Sequence, residues 1–213
     1  MSTQKILDLK DYKITYKDGK TFEYKDIEIY EGEFVGIMGN SGCGKTSLLN
    51  SLFSLDFPGS IEYEKCLLLG RELKSWKRDK FSYFSYMPQF SQDALNPSIT
   101  VEEHLKLTLK GNKLNYELNK TIEILKALNL DEDVLKKYSY ELSGGMKQRV
   151  LLMLCYIKEP RILILDEPSS ALDFITLKII IKFLKQIENT LTIIIVSHDE
   201  GFLKNICNKV INI

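Results

Sequence analysis

The stretch that decides the fold is Phe34-Val-Gly-Ile-Met-Gly39-Asn-Ser-Gly-Cys-Gly-Lys45-Thr46, an apolar run followed by a glycine-rich turn. The turn matches the pattern G-x-x-x-x-G-K-T, and leucines at helical spacing follow it as far as Phe53. A strand before this pattern and a helix after it are the context in which the pattern binds phosphate. The sequence therefore predicts a phosphate-binding loop between a buried strand and a helix.

The residue types in this loop suit a nucleoside triphosphate and its metal ion. Glycines let backbone N–H groups point inward around the phosphates, and the start of the following helix adds partial positive charge. Lys45 supplies a point charge for the β- and γ-phosphates, and the Thr46 hydroxyl is a hard oxygen ligand for Mg²⁺. The candidate nucleotide-binding residues are Gly39, Asn40, Ser41, Gly42, Cys43, Gly44, Lys45, Thr46 and Ser47.

Two acidic residues, Asp166 and Glu167, directly follow the apolar run 162–165. Because ligands lie beyond the carboxyl ends of parallel strands, we expect both carboxylates to project toward the loop at 39–46. Asp166 would hold Mg²⁺ through its water shell, and Glu167 would orient or deprotonate the attacking water. The alternative is that the two acids only end a strand with solvated charge.

The hydrophobic pattern predicts an α/β chain. Strands are expected at 13–16, 27–29, 34–38, 162–165 and 193–196, and the last two are apolar on both faces, as in a buried parallel sheet. The middle of the chain reads as mainly helical, with a capping box formed by Thr100 and Glu103. A helix at 121–130 is expected to place Ile122, Leu125 and Leu128 on one face, and another carries Ile180, Phe183, Leu184 and Ile187.

Composition limits the classes of function. Lys plus Arg and Asp plus Glu number 29 each, so no bulk positive field exists to hold nucleic acid. The apolar runs are far shorter than a spanning helix, and residues 1–10 contain no signal-peptide core, which predicts an intracellular protein. The four cysteines form no C-x-x-C pair, and only two histidines are present, which argues against a zinc site or a disulfide framework. Cys66 and Cys155 are expected to be buried thiols.

The octet Leu142-Ser-Gly-Gly-Met-Lys-Gln-Arg149 resembles the signature loop of ATP-binding cassette (ABC) ATPases. Other motifs of that family have counterparts here. Gln89 resembles the glutamine of the Q-loop, residues 170–173 resemble the D-loop, and His198 resembles the switch histidine. Tyr16, 23 residues before Gly39, resembles the adenine-stacking aromatic residue, with Tyr12 and Tyr24 as rivals. The resemblance runs from about Ile6 to Ile213.

This resemblance implies a P-loop NTPase (RecA-like) core of the ABC ATPase type, at 1–90 and 159–213, with an inserted α-helical subdomain at 91–158. It also implies a head-to-tail pair of ATPase domains in which each ATP lies on one phosphate loop and under the partner's signature loop. Ser143, Gly144 and Gly145, which open a helix, would form that second anion site. The implied cofactors are ATP and Mg²⁺. The implied metal ligands are Thr46, Gln89 and Asp166, and the implied catalytic residues are Glu167, His198 and Gln89.

Residues 89–97 and 140–146 resemble those of ABC importers of peptides and of nickel or related metal complexes. The chain ends about fifteen residues after His198, without the C-terminal extension usual in those importers, and its loop reads Lys-Thr-Ser rather than Lys-Ser-Thr. The implied partners are transmembrane permease subunits and a second ATPase subunit, either a copy or a paralogue. An extracytoplasmic substrate-binding protein would act indirectly, and no nucleic acid is expected. The implied location is cytoplasmic, peripheral on the inner face of the membrane.

Three other functions stay open at this point. The chain could belong to another ABC transporter subfamily, or be a soluble ABC ATPase that acts on nucleic acid or ribosomes. The neutral charge and the lack of a coiled-coil insertion or second cassette disfavour the soluble ATPase. A regulator that binds ATP without turnover is disfavoured because Glu167 and His198 are both present.

Phe90 and Leu95 either line a groove for a membrane subunit or belong to the core.

Overall fold

The computed structural model describes residues 4–54, 56–89, 93–169 and 173–213. Its strands are β1 (Lys5–Lys10), β2 (Tyr12–Tyr16), β3 (Thr21–Tyr24), β4 (Ile27–Tyr30), β5 (Phe34–Met38), β6 (Gly59–Glu62), β7 (Lys65–Leu68), β8 (Arg71–Glu72), β9 (Phe84–Met87), β10 (Ile162–Asp166), β11 (Thr192–Ser197) and β12 (Lys209–Asn212). Its α-helices are α1 (Lys45–Phe53), α2 (Val101–Gly111), α3 (Leu118–Ala127), α4 (Gly144–Ile157), α5 (Phe174–Ile187) and α6 (Glu200–Ile206).

The chain forms two compact units. One comprises Met1–Phe81 and Glu188–Ile213, and the other is Ser82–Ile187. The assignment of 91–158 as a helical subdomain that carries the signature loop stays a prediction. Phe90 and residues 170–172, which the sequence analysis assigned to a groove and to the D-loop, lie outside the described residues.

Parallel strands in the first unit position the phosphate loop. Strand β5 pairs in parallel with β11 on one side and β12 on the other, so its residues are enclosed by neighbours. Phe34, Val35 and Ile37 are each at most 1% exposed, as expected for a strand with both faces covered. Two antiparallel sheets complete the unit, with strand orders β4-β1-β7-β8 and β3-β2-β6.

The second unit combines a parallel strand pair with helices α2 to α5. Strand β10 pairs in parallel with β9, with Ile162 opposite Phe84 and Leu165 opposite Met87. The capping box that opens α2 is confirmed, since the Thr100 side chain accepts from the Glu103 backbone N–H and Glu103 accepts from the Thr100 backbone N–H. Strand β10 ends at Asp166, and Gln89 lies two residues after the end of β9. Both polar residues are therefore at or just beyond the carboxyl end of a parallel strand.

The helix expected at 121–130 was wrong in its bounds and in one buried residue, and Leu95 resolves to the core, one of its two open alternatives. Helix α3 runs from Leu118 to Ala127 rather than over 121–130, and Ile124 rather than Ile122 is buried beside Leu125. The helix ends early because Asn129 adopts a left-handed backbone conformation with φ of 51°. Leu95 is 5% exposed and belongs to the core, so it is unavailable to line a surface groove.

Cysteine burial agrees with the sequence. All four cysteines are free thiols, and Cys66 and Cys155 are buried. Burial raises the pKa of each of these two thiols to about 12, which keeps both protonated and inert at neutral pH. Across the described parts of the chain, no helix is both long and apolar enough to span a membrane.

Candidate functional site

The phosphate loop connects the end of β5 to the first residue of α1. Gly42 and Gly44 have positive φ angles of 83° and 101°, a conformation that side chains with a Cβ rarely adopt. A Cβ on Gly39 would lie 2.5 Å from Cys43 Sγ, so the loop is also too tight there for a larger residue. Gly44 is the N-cap of α1 and has no side chain with which to cap it, which leaves this helix end suited to an anion.

Backbone carbonyl oxygens of the phosphate loop hold the Lys45 side chain in place. Its Nζ donates to the carbonyl oxygens of Gly39 and Asn40, at 2.7 and 3.0 Å, and the residue is 7% exposed. Thr46 is exposed on the first turn of α1, and Ser47 is half-buried. An ammonium group held this way next to an uncapped helix start is chemically suited to phosphate oxygens.

Three tyrosines of the antiparallel sheet contact the loop or α1, and their burial separates the rivals for adenine stacking. Tyr24 donates to the Gly44 carbonyl oxygen at 2.9 Å, and Tyr12 donates to Ser51 Oγ at 2.9 Å. Both rings are buried, at 6% and 1% exposure, so neither can offer a face to a base. Tyr16 is half-buried, and its hydroxyl donates to Ser47 Oγ at 2.9 Å. Tyr16 is therefore the one of the three that has accessible ring surface beside the loop.

Tyr16 has two aromatic neighbours that were not predicted from the sequence. The ring centroid of Phe57 lies 5.3 Å from that of Tyr16, and the Phe22 ring meets it edge-on at 6.3 Å. A signal for Phe22 was present, because the Asp18-Gly19 turn predicts a hairpin that returns the chain beside Tyr16. No comparable signal pointed to Phe57.

The acidic pair lies at the end of β10 in the second unit. Asp166 is 2% exposed, and Tyr86 donates its hydroxyl to Asp166 Oδ2 at 3.0 Å. Burial, together with this carboxylate, raises the pKa of Tyr86 well above its usual value, so the phenol stays protonated. Glu167 is 6% exposed, with a positive φ of 48°, a strained conformation for this residue type that occurs preferentially at functional sites. The reading of these acids as solvated strand ends is therefore wrong.

Gln89 and His198 each follow a parallel strand. Gln89 is half-buried two residues after β9, and His198 is exposed directly after β11. Asp199, next to His198, caps α6 by accepting from the Phe202 backbone N–H at 2.9 Å. The first unit thus contains residues 39–47, Tyr16 and His198, and the second contains Gln89, the acidic pair and the signature loop.

The signature loop opens α4. The Ser143 side chain accepts from the Met146 backbone N–H at 3.2 Å, so this exposed serine is the N-cap of the helix. Gly144 and Gly145 form its first turn and are half-buried. This arrangement is the helix N-terminus with small residues that the sequence predicts for residues 143–145.

Thr176, to which the sequence pattern assigned no role, packs against Gly145 of the signature loop. A Cβ on Gly145 would lie 2.5 Å from Thr176 Oγ1, so the glycine is required for close approach. Thr176 is oriented by Asp173, whose carboxylate accepts from both the Thr176 backbone N–H and its hydroxyl, at 2.9 and 2.7 Å. The D-x-x-T pattern at 173–176 is the capping signal that could have revealed this contact.

The donor chemistry of the proposed metal ligands fits Mg²⁺. Thr46, Gln89 and Asp166 offer a hydroxyl, an amide and a carboxylate, whose oxygens are the hard ligands that this ion prefers. Among the described residues, no three His, Cys, Asp or Glu side chains form a cluster able to hold a metal ion. Mg²⁺ is commonly bound by few protein ligands together with substrate phosphates, so this donor set suits a metal that arrives with its nucleotide.

Comparison with known proteins identifies the family. A family model described as ABC transporter matches residues 23–170 of the chain. The chain belongs to the ABC transporter family. It is an ATP-binding subunit of such a transporter and an ATPase by family. Among similar proteins is the dipeptide transport ATP-binding protein DppD of Caldanaerobacter subterraneus subsp. tengcongensis, at 32% identity over 96% of this chain and 68% of the relative.

Other relatives and solved structures agree with this family. The nickel import ATP-binding protein NikE of Escherichia coli K12 is 34% identical over 86% of this chain and 71% of its own length. The ABC cassette MJ0796, solved as a dimer in a post-hydrolysis state with ADP and Pi, matches with a TM-score of 0.75 at 26% identity. The match covers 97% of this chain and 94% of that one. CbiO1 of Clostridium perfringens has the same fold, with a TM-score of 0.78, 23% identity and coverage of 98% and 84%. The predicted α/β P-loop architecture is confirmed.

Proposed function

We propose that this ABC family chain hydrolyses ATP with Mg²⁺ and uses residues 39–47 to hold the phosphates. The observation that carries the proposal is the Lys45 ammonium, held by the carbonyl oxygens of Gly39 and Asn40 at the uncapped start of α1. Phosphate oxygens would replace these neutral acceptors, because a charged acceptor forms the stronger hydrogen bond. Tyr16, half-buried beside Ser47, would stack on the adenine.

In the same proposal, the acidic pair performs the hydrolytic chemistry. Bound Mg²⁺ would neutralise charge on the phosphates. Thr46, Gln89 and Asp166 would hold it, Asp166 through its water shell. Glu167 would orient or deprotonate the attacking water, and His198 would contact the γ-phosphate. The left-handed backbone of Glu167 supports this role, because strain at a buried acid is retained where the site needs that geometry.

We further propose that the chain works as one of two ATPase subunits paired head to tail, either as two copies or with a paralogue. Support comes from the signature residues 143–145, which lie at the N-terminus of α4. A helix N-terminus is suited to an anion, so the chain has a second candidate phosphate site besides residues 39–47. The relative MJ0796 was solved as a dimer. ATP between the two subunits would join them, and hydrolysis would release them.

The names of two relatives support a proposal for the class of transported substrate. DppD is named for dipeptide transport and NikE for nickel import, so we propose an importer of peptides or of nickel or related metal complexes. Transmembrane permease subunits would be its direct partners on the inner face of the membrane, and an extracytoplasmic binding protein its indirect one. In this proposal, selectivity for the cargo would belong to those other subunits rather than to the ATPase chain.

An ATPase assay of the purified chain, alone and reconstituted with candidate permease subunits, tests this function. Turnover that is Mg²⁺-dependent and stimulated by the membrane complex supports it. Stimulation by DNA or ribosomes instead would favour the soluble ATPase, and tight ATP binding without turnover in either preparation would favour a regulator. Both of those results would contradict the proposal.

A further inference from the structure

We infer that Tyr86 is a positioning residue for the Asp166 carboxylate, and that it sets the dependence of ATP binding on Mg²⁺. The inference rests on the proposed role of Asp166 in holding that metal. The Tyr86 hydroxyl lies 3.0 Å from Asp166 Oδ2, and both residues belong to the same compact unit. Tyr86 carries no role in the family motifs found in the sequence.

The direction of this hydrogen bond is fixed by chemistry. An ionised carboxylate can only accept, and a phenol has a single O–H to donate, so Tyr86 is the donor. Asp166 is 2% exposed, and a hydrogen bond to a charged group in such a place is stronger than one exposed to water. One carboxylate oxygen is therefore held in place, which restricts rotation of the whole group.

The strand that carries Tyr86 is itself fixed by bonds from its neighbouring residues. Ser85 Oγ donates to the Cys155 carbonyl oxygen at 2.5 Å, and Lys158 Nζ donates to the Phe84 carbonyl oxygen at 2.7 Å. Both partners lie at the end of α4 or just after it. The parallel pairing places Tyr86 opposite Ile164, two residues before Asp166. The position of the phenol is therefore fixed relative to β10, and its hydroxyl bonds the carboxylate at the end of that strand.

The affinity of a carboxylate for hydrated Mg²⁺ depends on how the carboxylate is oriented, because this ion demands near-ideal ligand geometry. Hydrogen-bond partners that orient metal ligands typically change metal affinity by about 10- to 100-fold when they are removed. Loss of the Tyr86 hydroxyl should therefore weaken the binding of ATP with Mg²⁺, and leave the binding of ATP without metal unchanged.

Four full-length variants test this inference: Tyr86→Phe, Asp166→Asn, the double variant, and Tyr83→Phe as a control. Tyr83 lies just before β9 and is 39% exposed, so the control makes the same chemical change at the surface. Equilibrium binding of a fluorescent ATP analogue is measured in EDTA and across a Mg²⁺ titration. We expect Tyr86→Phe to raise the half-saturating Mg²⁺ concentration about 10-fold, with binding in EDTA and the control both unchanged.

The double variant separates positioning from a general structural effect. If Tyr86 acts through Asp166, adding Tyr86→Phe to Asp166→Asn should cause no further shift. The inference is overturned if Asp166→Asn shifts the Mg²⁺ dependence but Tyr86→Phe does not, or if Tyr86→Phe keeps its full effect when combined with Asp166→Asn. An unshifted Asp166→Asn variant would instead contradict the proposed metal role of Asp166, and the inference with it.

Discussion

The phenol of Tyr24 donates a hydrogen bond to the backbone carbonyl of Gly44, with 2.9 Å between the two oxygens. Gly44 is the residue at which the phosphate loop becomes α1, and its φ of 101° makes that turn possible. A Cβ at this position would lie 2.6 Å from the Tyr24 hydroxyl. The hydrogen bond from this buried tyrosine therefore stabilises the end of the phosphate loop. The geometry of the loop thus depends on a residue outside its motif.

Tyr24→Phe should lower both the free energy of unfolding and the affinity for ATP. The lost hydrogen bond is worth about 1 kcal/mol, and we expect several-fold weaker ATP binding because the loop loses a support. Urea unfolding and ATP titration measure the two effects. Tyr12→Phe is the matched control, since it removes another buried tyrosine hydroxyl, which is bonded to Ser51 farther along α1. Equal losses of ATP affinity in both variants would show that Tyr24 has no special effect on the loop.

Tyr16→Ala should weaken nucleotide binding because the aromatic ring that stacks on the adenine base is lost. Stacking on an aromatic ring is worth about 1–3 kcal/mol, which corresponds to a loss of roughly 5- to 150-fold in affinity for ATP. Tyr16→Phe keeps the ring and removes the hydrogen bond to Ser47, so it should retain most of that affinity. Titration with ATP and with inorganic triphosphate distinguishes the causes. Loss of triphosphate binding in Tyr16→Ala would contradict adenine stacking and indicate damage to the loop.

Gly145→Ala should destabilise the protein through a steric clash. Its Cβ would lie 2.5 Å from Thr176 Oγ1, and overpacking of this kind typically costs about 1–3 kcal/mol of unfolding free energy. Thr176→Ala removes the clashing oxygen, so the double variant should lose less stability than the sum of the two single variants. Gly111→Ala is the control, because a Cβ there meets nothing within 4 Å. Additive losses would mean that the clash is absent.

Glu167→Gln should separate ATP binding from ATP hydrolysis. Removing a general base typically costs about 10²- to 10⁴-fold in rate, while the amide is nearly isosteric and should leave ATP affinity unchanged. Single-turnover hydrolysis in the purified complex measures the chemical step. Glu132→Gln, an exposed change within the same unit, should keep the parent rate. A rate for Glu167→Gln close to that of the parent would remove Glu167 from the mechanism.

Local motifs of the chain could be predicted from the sequence because each depends on residues close together. The phosphate loop, the capping box at Thr100 and the buried strands β5, β10 and β11 all follow from short patterns. Side-chain contacts across long separations could not be predicted. Tyr86 and Asp166 are 80 residues apart, and only the parallel pairing of β9 with β10 brings them together.

Burial also decided questions that spacing left open. Tyr12, Tyr16 and Tyr24 fall in the same strand-rich stretch and have similar local sequences, so the sequence offered three rivals for adenine stacking. Tyr12 and Tyr24, which lie opposite each other in the pairing of β2 with β3, are buried, whereas Tyr16 is half-buried. Likewise, Leu95 is buried by packing that no local pattern reveals.

Lys45 and the glycine loop are proposed to hold the triphosphate of ATP. Isothermal titration of the full chain with ATP and Mg²⁺ tests this role, with Lys45→Ala compared against the exposed control Lys17→Ala. We predict that Lys45→Ala abolishes measurable ATP binding, while Lys17→Ala binds like the parent and both variants unfold at similar denaturant concentrations. Unchanged ATP affinity in a folded Lys45→Ala protein would contradict the claim.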